Sequence, residues 1–257
     1  MKSCWLLILL LFFVACRTHP TKTVEKIIYK RSLYDGLGDY FSSHEITPSI
    51  ILNNDIKDDQ HGVQLGKHWI KWLASETETK ISIDDDKFSL RNEVTLNDVW
   101  DHTDSVGSFA NRWNEMKLYR INGREIILIS MGYFPCSGIG CSVYYDMVYD
   151  VETGNKSFFG TFRSYFGSAL YNFNSRYDLE FLASTYAEGG KEASQGIFTY
   201  TIYSMDKDGR FVQEKDSIGS PWQLIHTTFP KDSTLADTLI QGHWFERPDL
   251  GLSAASD

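Results

Sequence analysis

The stretch Glu125-Ile126-Ile127-Leu128-Ile129-Ser130-Met131-Gly132-Tyr133-Phe134 decides the fold class. Its heart, Ile126 to Ile129, is an apolar run rich in β-branched residues, which fit a pleated surface. Pro135 ends it, because proline has no N–H to donate to a ladder. Ser142 to Asp150 reads as a second strand, and a third begins near Lys156-Ser157-Phe158, after a turn at Glu152-Thr153-Gly154-Asn155.

The layout then recurs. Leu118-Tyr119 is answered by Leu170-Tyr171, Ile129-Ser130 by Leu182-Ala183-Ser184, and Val148-Tyr149 by Ile202-Tyr203. Asp206-Lys207-Asp208-Gly209 forms the second hairpin turn, and Phe211 answers Phe158. A fainter copy spans Trp72-Leu73-Ala74-Ser75 to Phe88. Units of about 50 residues with several short strands point to propeller blades, with a meandering sandwich or barrel as the other architecture. The expected fold is therefore mostly β and antiparallel, with few short helices. Upstream, Ile27 to Phe41 reads as a helix interrupted at Gly36 and Gly38, and Ser105 to Met116 as containing a short helix. Trp69 to Leu73 and Lys80 to Leu90 read as strands, the latter turning at Asp84-Asp85-Asp86.

Composition agrees with a folded β protein. Aromatic residues make up 14% of the chain, and six prolines in 257 residues leave little room for long disordered linkers. The net charge of −9 repels phosphate backbones and excludes nucleic acid as a partner.

The first residues carry a separate signal. Lys2 precedes the apolar run Trp5 to Val14, which is too short to cross a hydrocarbon core of about 20 helical residues. It fits the apolar region of a secretory signal peptide. The run ends Phe13-Val14-Ala15-Cys16, which resembles the lipobox of bacterial lipoproteins. The resemblance implies a diacylglyceryl group on the Cys16 thiol, cleavage before it and acylation of the new amino group. Several acyl chains make a stable anchor where one holds only marginally. Phe13 stands where that family most often has leucine. An acidic run just after the cysteine, which directs some Gram-negative lipoproteins to the cell surface, is absent, so the resemblance implies a periplasm-facing protein. The expected organisation is a signal peptide over 1–15, a lipidated tether over 16–25, one β-rich domain over 26–246 and a tail over 247–257.

Of the four cysteines, Cys4 leaves with the signal and Cys16 is modified, so Cys136 and Cys141 remain. An even remainder in an exported protein reads as one disulfide, with free thiols and a redox or metal role as the other readings. Bonding them requires Ser137-Gly138-Ile139-Gly140 to reverse direction, which Gly138 and Gly140 permit. The result is a stapled tip. Its counterpart, Ala187 to Gly196, contains Glu188, Gly189 and Gly190 and lacks the staple. Both tips are candidate partner-binding loops.

Leu170 to Leu182 resembles a decayed calcium-loop repeat of integrin-type propellers. Asn172, Asn174 and Glu180 stand at matching places, but Arg176 replaces a ligand carboxylate and Tyr177 replaces glycine, which opposes cation binding. No cofactor, metal site or standard catalytic signature is expected. His44-Glu45-Ile46-Thr47-Pro48 opens like a zinc-protease helix but lacks the second histidine. His102 with Asp104, or His243 with Glu246, could serve as acid–base pairs, although a surface histidine beside a carboxylate is the plainer reading. The acidic turn at Asp84 to Asp86 reads as solvated. Of the tryptophans Trp69, Trp72, Trp100, Trp113, Trp222 and Trp244, most are expected in the core; exposed ones would suit a glycan. The leading expectation is a non-enzymatic binding or scaffolding lipoprotein, with an envelope protein or glycan as partner. A periplasmic hydrolase and an inhibitor or immunity protein are the alternatives.

Overall fold

In the computed structural model, placement is described for residues 33–53, 61–74, 78–90, 93–97, 112–133, 143–162, 166–174, 179–189, 195–228, 238–241 and 244. All of them lie in one compact unit, Arg31–Asp257. Helix α1 (Leu33–Ser43) and strand β1 (Ile50–Asn53) come first. Strands β2 (Gly62–Leu65), β3 (His68–Ala74), β4 (Thr79–Ile83) and β5 (Asp86–Ser89) form sheet one as a simple meander. Strands β6 (Arg112–Ile121), β7 (Arg124–Tyr133), β8 (Val143–Asp150) and β9 (Lys156–Phe162) form sheet two, with β1 added beside β6. Sheet three holds β10 (Leu170–Tyr171), β11 (Glu180–Gly189), β12 (Gln195–Met205), β13 (Phe211–Gln213), β14 (Gln223–Thr228) and β15 (Thr238–Gln241). Every strand pairing is antiparallel, and none of the sheets closes into a barrel.

The unbroken run Ile126 to Ile129 is explained by its place. Side chains alternate between the two faces of a strand, and sheet two is covered on both. Ile127 and Ile129 join Ile70, Trp72, Ile81 and Ile83 of sheet one in a first core. Ile126 and Leu128 join Phe181, Ala183 and Tyr203 of sheet three in a second. Phe159 on the same side stacks on Phe181 with ring centroids 4.0 Å apart, and Tyr203 meets it edge-on. A third core lies on the far face of sheet three, where Leu37 and Phe41 of α1 pack with Phe173, Tyr200, Ile202 and Trp244. Burying each such side chain contributes about 1.5–3 kcal/mol, so the stack is held chiefly by these three apolar layers.

The turns obey local chemistry. Asn122 and Gly123 have φ of 52° and 83°, the paired positive values of a tight two-residue hairpin between β6 and β7, and the Asn-Gly pair supplies them at little steric cost. Gly209, at φ 80°, lets the β12–β13 turn descend onto Asp150 and Thr153 of the β8–β9 region. Asp150 is itself buried and bound to Arg124 Nη2 at 2.5 Å.

Several expectations are corrected. Helix α1 runs through Gly36 and Gly38 without interruption. The ring of Phe166 lies only 3.3 Å from where a Gly38 Cβ would sit, so close packing there favours glycine and offsets its poor helix propensity. Arg112 to Met116, the end of the stretch expected to contain a short helix, is strand, because β6 pairs along its length with β7 and also with β1; residues 105–111, where that helix would have to lie, are outside the described ones. The expected loop at Ala187 to Gly189 is strand: Ala187 pairs with Ile197, Glu188 with Gly196 and Gly189 with Gln195. Among the described residues, no helix is long and apolar enough to cross a membrane.

Candidate functional site

Three features combine polar groups with an opening or an exposed face. The first gathers hairpin ends of sheets one and two. His68 opens β3, Asp84 follows β4 and Glu125 lies at the start of β7. The His68 ring is buried; its Nδ1 lies 2.7 Å from Asp84 Oδ2 and its Nε2 3.1 Å from Glu125 Oε2. Asp84 also accepts the Trp69 N–H at 2.8 Å. Lys67 Nζ lies 2.7 Å from Glu125, and Arg120 Nε donates to its other oxygen at 3.0 Å. Hydrogen bonds from Lys67 and then Arg120 hold the Glu125 carboxyl at about 2, against a burial effect that would raise it. Burial also pushes Asp84 upward, but donors from His68 and Trp69 outweigh it and keep the group below its ordinary value. Beside this cluster opens a cleft of about 490 Å³ lined by Lys67, Arg120, Arg124, Glu125 and Glu152.

Chemically this is a clasp. A general base needs a ring nitrogen within reach of the substrate proton, yet both His68 nitrogens face carboxylates of the protein itself. The lining cations are likewise engaged: Arg124 with Asp150 and Glu152, Lys67 and Arg120 with Glu125. Both ring nitrogens lie within hydrogen-bond distance of a carboxylate oxygen, one from each sheet, so the His68 ring links sheet one to sheet two. His68→Ala is expected to lower stability by about 2–3 kcal/mol, read as a shift of the urea midpoint at unchanged slope. An unchanged midpoint would show that the clasp contributes nothing. Glu125, depressed in the folded state, adds stability above its ordinary 4.5, and this is lost as pH falls toward 2.

The second feature is a buried polar knot on the face of sheet two turned toward sheet three. Ser130 and Asp146 are register partners on β7 and β8, and the Ser130 hydroxyl donates to Asp146. Ser130 Oγ lies 2.6 Å from Ser168 Oγ, and Lys117 Nζ donates to the Ser168 carbonyl at 2.6 Å and pairs with Glu115 at 2.8 Å. Burial pushes the Asp146 carboxyl up to about 6, against the lowering effect of the Ser130 and Ser168 hydroxyls.

The third feature is the outward face of sheet one. Along β3, Ile70 and Trp72 point into the first core, so Trp69, Lys71 and Leu73 point away. Trp69 is 50% exposed and Leu73 62%. Register places Lys71, Ser82 and Lys87 in one row across β3, β4 and β5, and Leu73, Lys80 and Ser89 in the next. A strand spacing of about 4.8 Å sets Lys71 and Lys87 roughly 10 Å apart at their backbones. Lys71 Nζ stands 5.9 Å from the Trp69 ring centroid. A shallow groove of about 520 Å³ opens on this sheet, lined among others by Lys71, Leu73, Lys80, Lys87 and Phe88.

The residues singled out from sequence fare unevenly. Cys16, Cys136, Ser137, Gly138, Ile139, Gly140, Cys141 and Gly190 lie outside the described residues, as do Trp100, His102, Asp104, Arg176, Tyr177, His243 and Glu246. His44 Nδ1 sits 2.8 Å from the Tyr40 carbonyl at the end of α1. Glu180 is buried and accepts the Phe173 N–H. Among the described residues no group of histidine, cysteine or carboxylate side chains could hold a metal ion. Trp72, Trp113 and Trp244 are core, Trp222 is half-buried, and Trp69 alone among the described tryptophans is largely exposed. The acidic turn is exposed, as expected, while Asp84 also takes part in the clasp and Asp86 accepts the Tyr149 hydroxyl at 2.9 Å. His68 has no carboxylate partner nearby in sequence, since Asp84 is 16 residues away and Glu125 57. Only the strand register could have revealed them.

No protein-family model matches this chain. No curated protein and no solved structure matches it either. The functional reading therefore rests on residues alone.

Proposed function

We propose that this chain is a membrane-anchored lipoprotein of a bacterial envelope, held through Cys16, that works by binding or scaffolding rather than by catalysis. The observation that carries the binding half is the outward face of sheet one, where exposed Trp69 and Leu73 stand among Lys71, Lys80 and Lys87. Large apolar side chains grouped on an open face, with charges around them, mark interaction surfaces. Among the described residues, His68 is the histidine held against carboxylates beside an open cleft, and both its ring nitrogens are taken by carboxylates of the protein itself, which favours binding over hydrolysis. The anchor half rests on the lipobox-like Phe13-Val14-Ala15-Cys16.

The architecture is proposed to be built from successive copies of one antiparallel unit, propeller-like in plan. Strands β10 to β13 follow the order and directions of β6 to β9. Leu118 and Phe158 belong to the first core where their counterparts Leu170 and Phe211 belong to the second, a shift of one layer. A Cys136–Cys141 disulfide at the tip beyond β7 belongs to the same proposal.

Growth of the source cells with labelled palmitate tests the anchor. The expected outcome is label on the wild-type chain and loss of at least nine-tenths of it in Cys16→Ala, which also leaves the membrane fraction. An unlabelled wild-type chain that fractionates like the variant would reject it.

A further inference from the structure

We infer that the outward face of sheet one is a docking surface for an anionic phospholipid bilayer, so that the anchored body lies with this face on the membrane. The inference rests on the proposed acyl anchor and adds to it an orientation. Three observations carry it. The face is cationic in a chain that is acidic as a whole: the outward positions in the two rows are Lys71, Ser82, Lys87, Leu73, Lys80 and Ser89, without a carboxylate, although the net charge is −9. Glu78 pairs with Lys80 at 3.0 Å at the margin. The exposed acidic turn Asp84 to Asp86 bounds the face at its Trp69 end, with Asp84 bound to His68 and to the Trp69 N–H and Asp86 to the Tyr149 hydroxyl. Lysines at this spacing meet the negative potential of a leaflet of anionic lipids.

The apolar members suit the same surface. Indole rings settle at the level of lipid headgroups, and an exposed leucine gains by entering the acyl boundary. Trp69 and Leu73 lie on one strand face with Lys71 between them, an amphipathic arrangement in which apolar groups enter the interface and ammonium groups stay at its surface. Tether length is the third observation. The segment from Cys16 to Leu33 spans at most about 60 Å when extended, so an anchored chain has length enough to lay this face on the bilayer that holds it. Covalent anchoring raises the local concentration of the face at the bilayer, so a modest attraction suffices.

The experiment uses the lipidated full chain reconstituted into vesicles of phosphatidylcholine alone or of phosphatidylcholine with phosphatidylglycerol, each containing bromine-labelled lipid. Bromine quenches tryptophan at close range, and Trp69→Phe identifies the share from that ring. Expected is quenching of the Trp69 share in phosphatidylglycerol vesicles, at least fivefold weaker in phosphatidylcholine, and a comparable loss in the K71E/K80E/K87E chain or in 0.5 M salt. These lysines are outward-facing, and urea midpoints check that the variant remains folded. A chain that stays with the vesicles while Trp69 remains unquenched in both compositions overturns the inference and leaves the anchor standing. Equal quenching in both, insensitive to the lysines, also overturns it. Unquenched Trp69 whose emission shifts when polygalacturonate is added overturns it too, and assigns the face to an acidic glycan instead. A chain without acyl label that leaves the vesicle pellet overturns anchor and orientation together.

Discussion

A Gly209→Ala chain is expected to lose about 3–4 kcal/mol of stability, while Gly219→Ala loses about 1–2. Both glycines have positive φ, 80° and 88°, and an L side chain in that region costs about 1–2 kcal/mol by itself. The difference lies in what the new methyl would meet. At Gly219 nothing lies within 4 Å. At Gly209 a Cβ would overlap Asp150 Oδ2 and come within 2.8 Å of Thr153 Oγ1. Asp150 cannot retreat cheaply, since it is buried, bound to Arg124 and accepts the Glu152 N–H at 2.9 Å. Relief would require shifting the turn that joins sheet three to sheet two, and it is linked a second time by Asn155 Nδ2 donating to the Asp208 carbonyl at 2.7 Å. Urea unfolding of both variants separates backbone strain from collision. Equal losses would mean that the two turns do not press together as described.

The second large effect concerns Asp146. Its carboxyl is raised from 3.8 to about 6 in the folded protein, chiefly by burial. A group raised on folding contributes stability that is complete below its unfolded value and is lost as pH climbs through the folded one. From pH 4 to 7 the wild-type chain should therefore lose about 3 kcal/mol on this account. Asp146→Asn removes the titration but keeps an oxygen for the Ser130 and Ser168 hydroxyls, so it should flatten that slope. A gain of about 1–2 kcal/mol is expected at pH 7, smaller than the slope because the new amide N–H groups need partners and Lys117 loses a distant counter-charge. Glu125 acts in the opposite sense below 4.5, so stability should peak near pH 4, where the two windows meet. Urea midpoints at several pH values from 3 to 7 provide the check, and an Asp146→Asn chain as steep as the parent between pH 4 and 6 would refute the account.

How far the sequence revealed these features depends on how local they are. Ile126 to Ile129 announced a strand, but not that alternate residues would serve two different cores; that follows from sheets one and three lying on its two sides. The proposed correspondence of Leu118 with Leu170 and Phe158 with Phe211 came from their spacing of about 50 residues, and spacing alone could not tell that each pair is divided between two cores. Asn122-Gly123 carries a local hairpin signal, since both residues take positive φ in the tight β6–β7 turn. The strand at Arg112 to Met116 was not legible locally, because it comes from partners at 50–53 and 124–132. The clasp escaped for a related reason: Lys67, His68, Asp84, Arg120 and Glu125 occupy separate hairpin ends, and only the packing of two sheets brings them together. Asp84 to Asp86 is the exposed hairpin turn that its composition indicates, but composition could not show that Asp84 and Asp86 also bind an imidazole and a phenol.

Helix α1 has a consequence for the order in which the molecule is completed. It is made before every described strand, yet Leu37 and Phe41 rest on residues from the last third of the chain, and Tyr40 accepts the Trp244 indole N–H across 204 positions. While the ribosome or translocation channel still holds that last third, the helix has no site to occupy. Meanders such as β2–β5 and β6–β9 can zip up as they emerge, since their contacts are near in sequence. The greasy stripe of the helix must wait, open to chaperones and to misassembly. Slow steps in maturation should therefore collect at this closing event, which joins the earliest and latest segments, rather than at the assembly of any individual sheet.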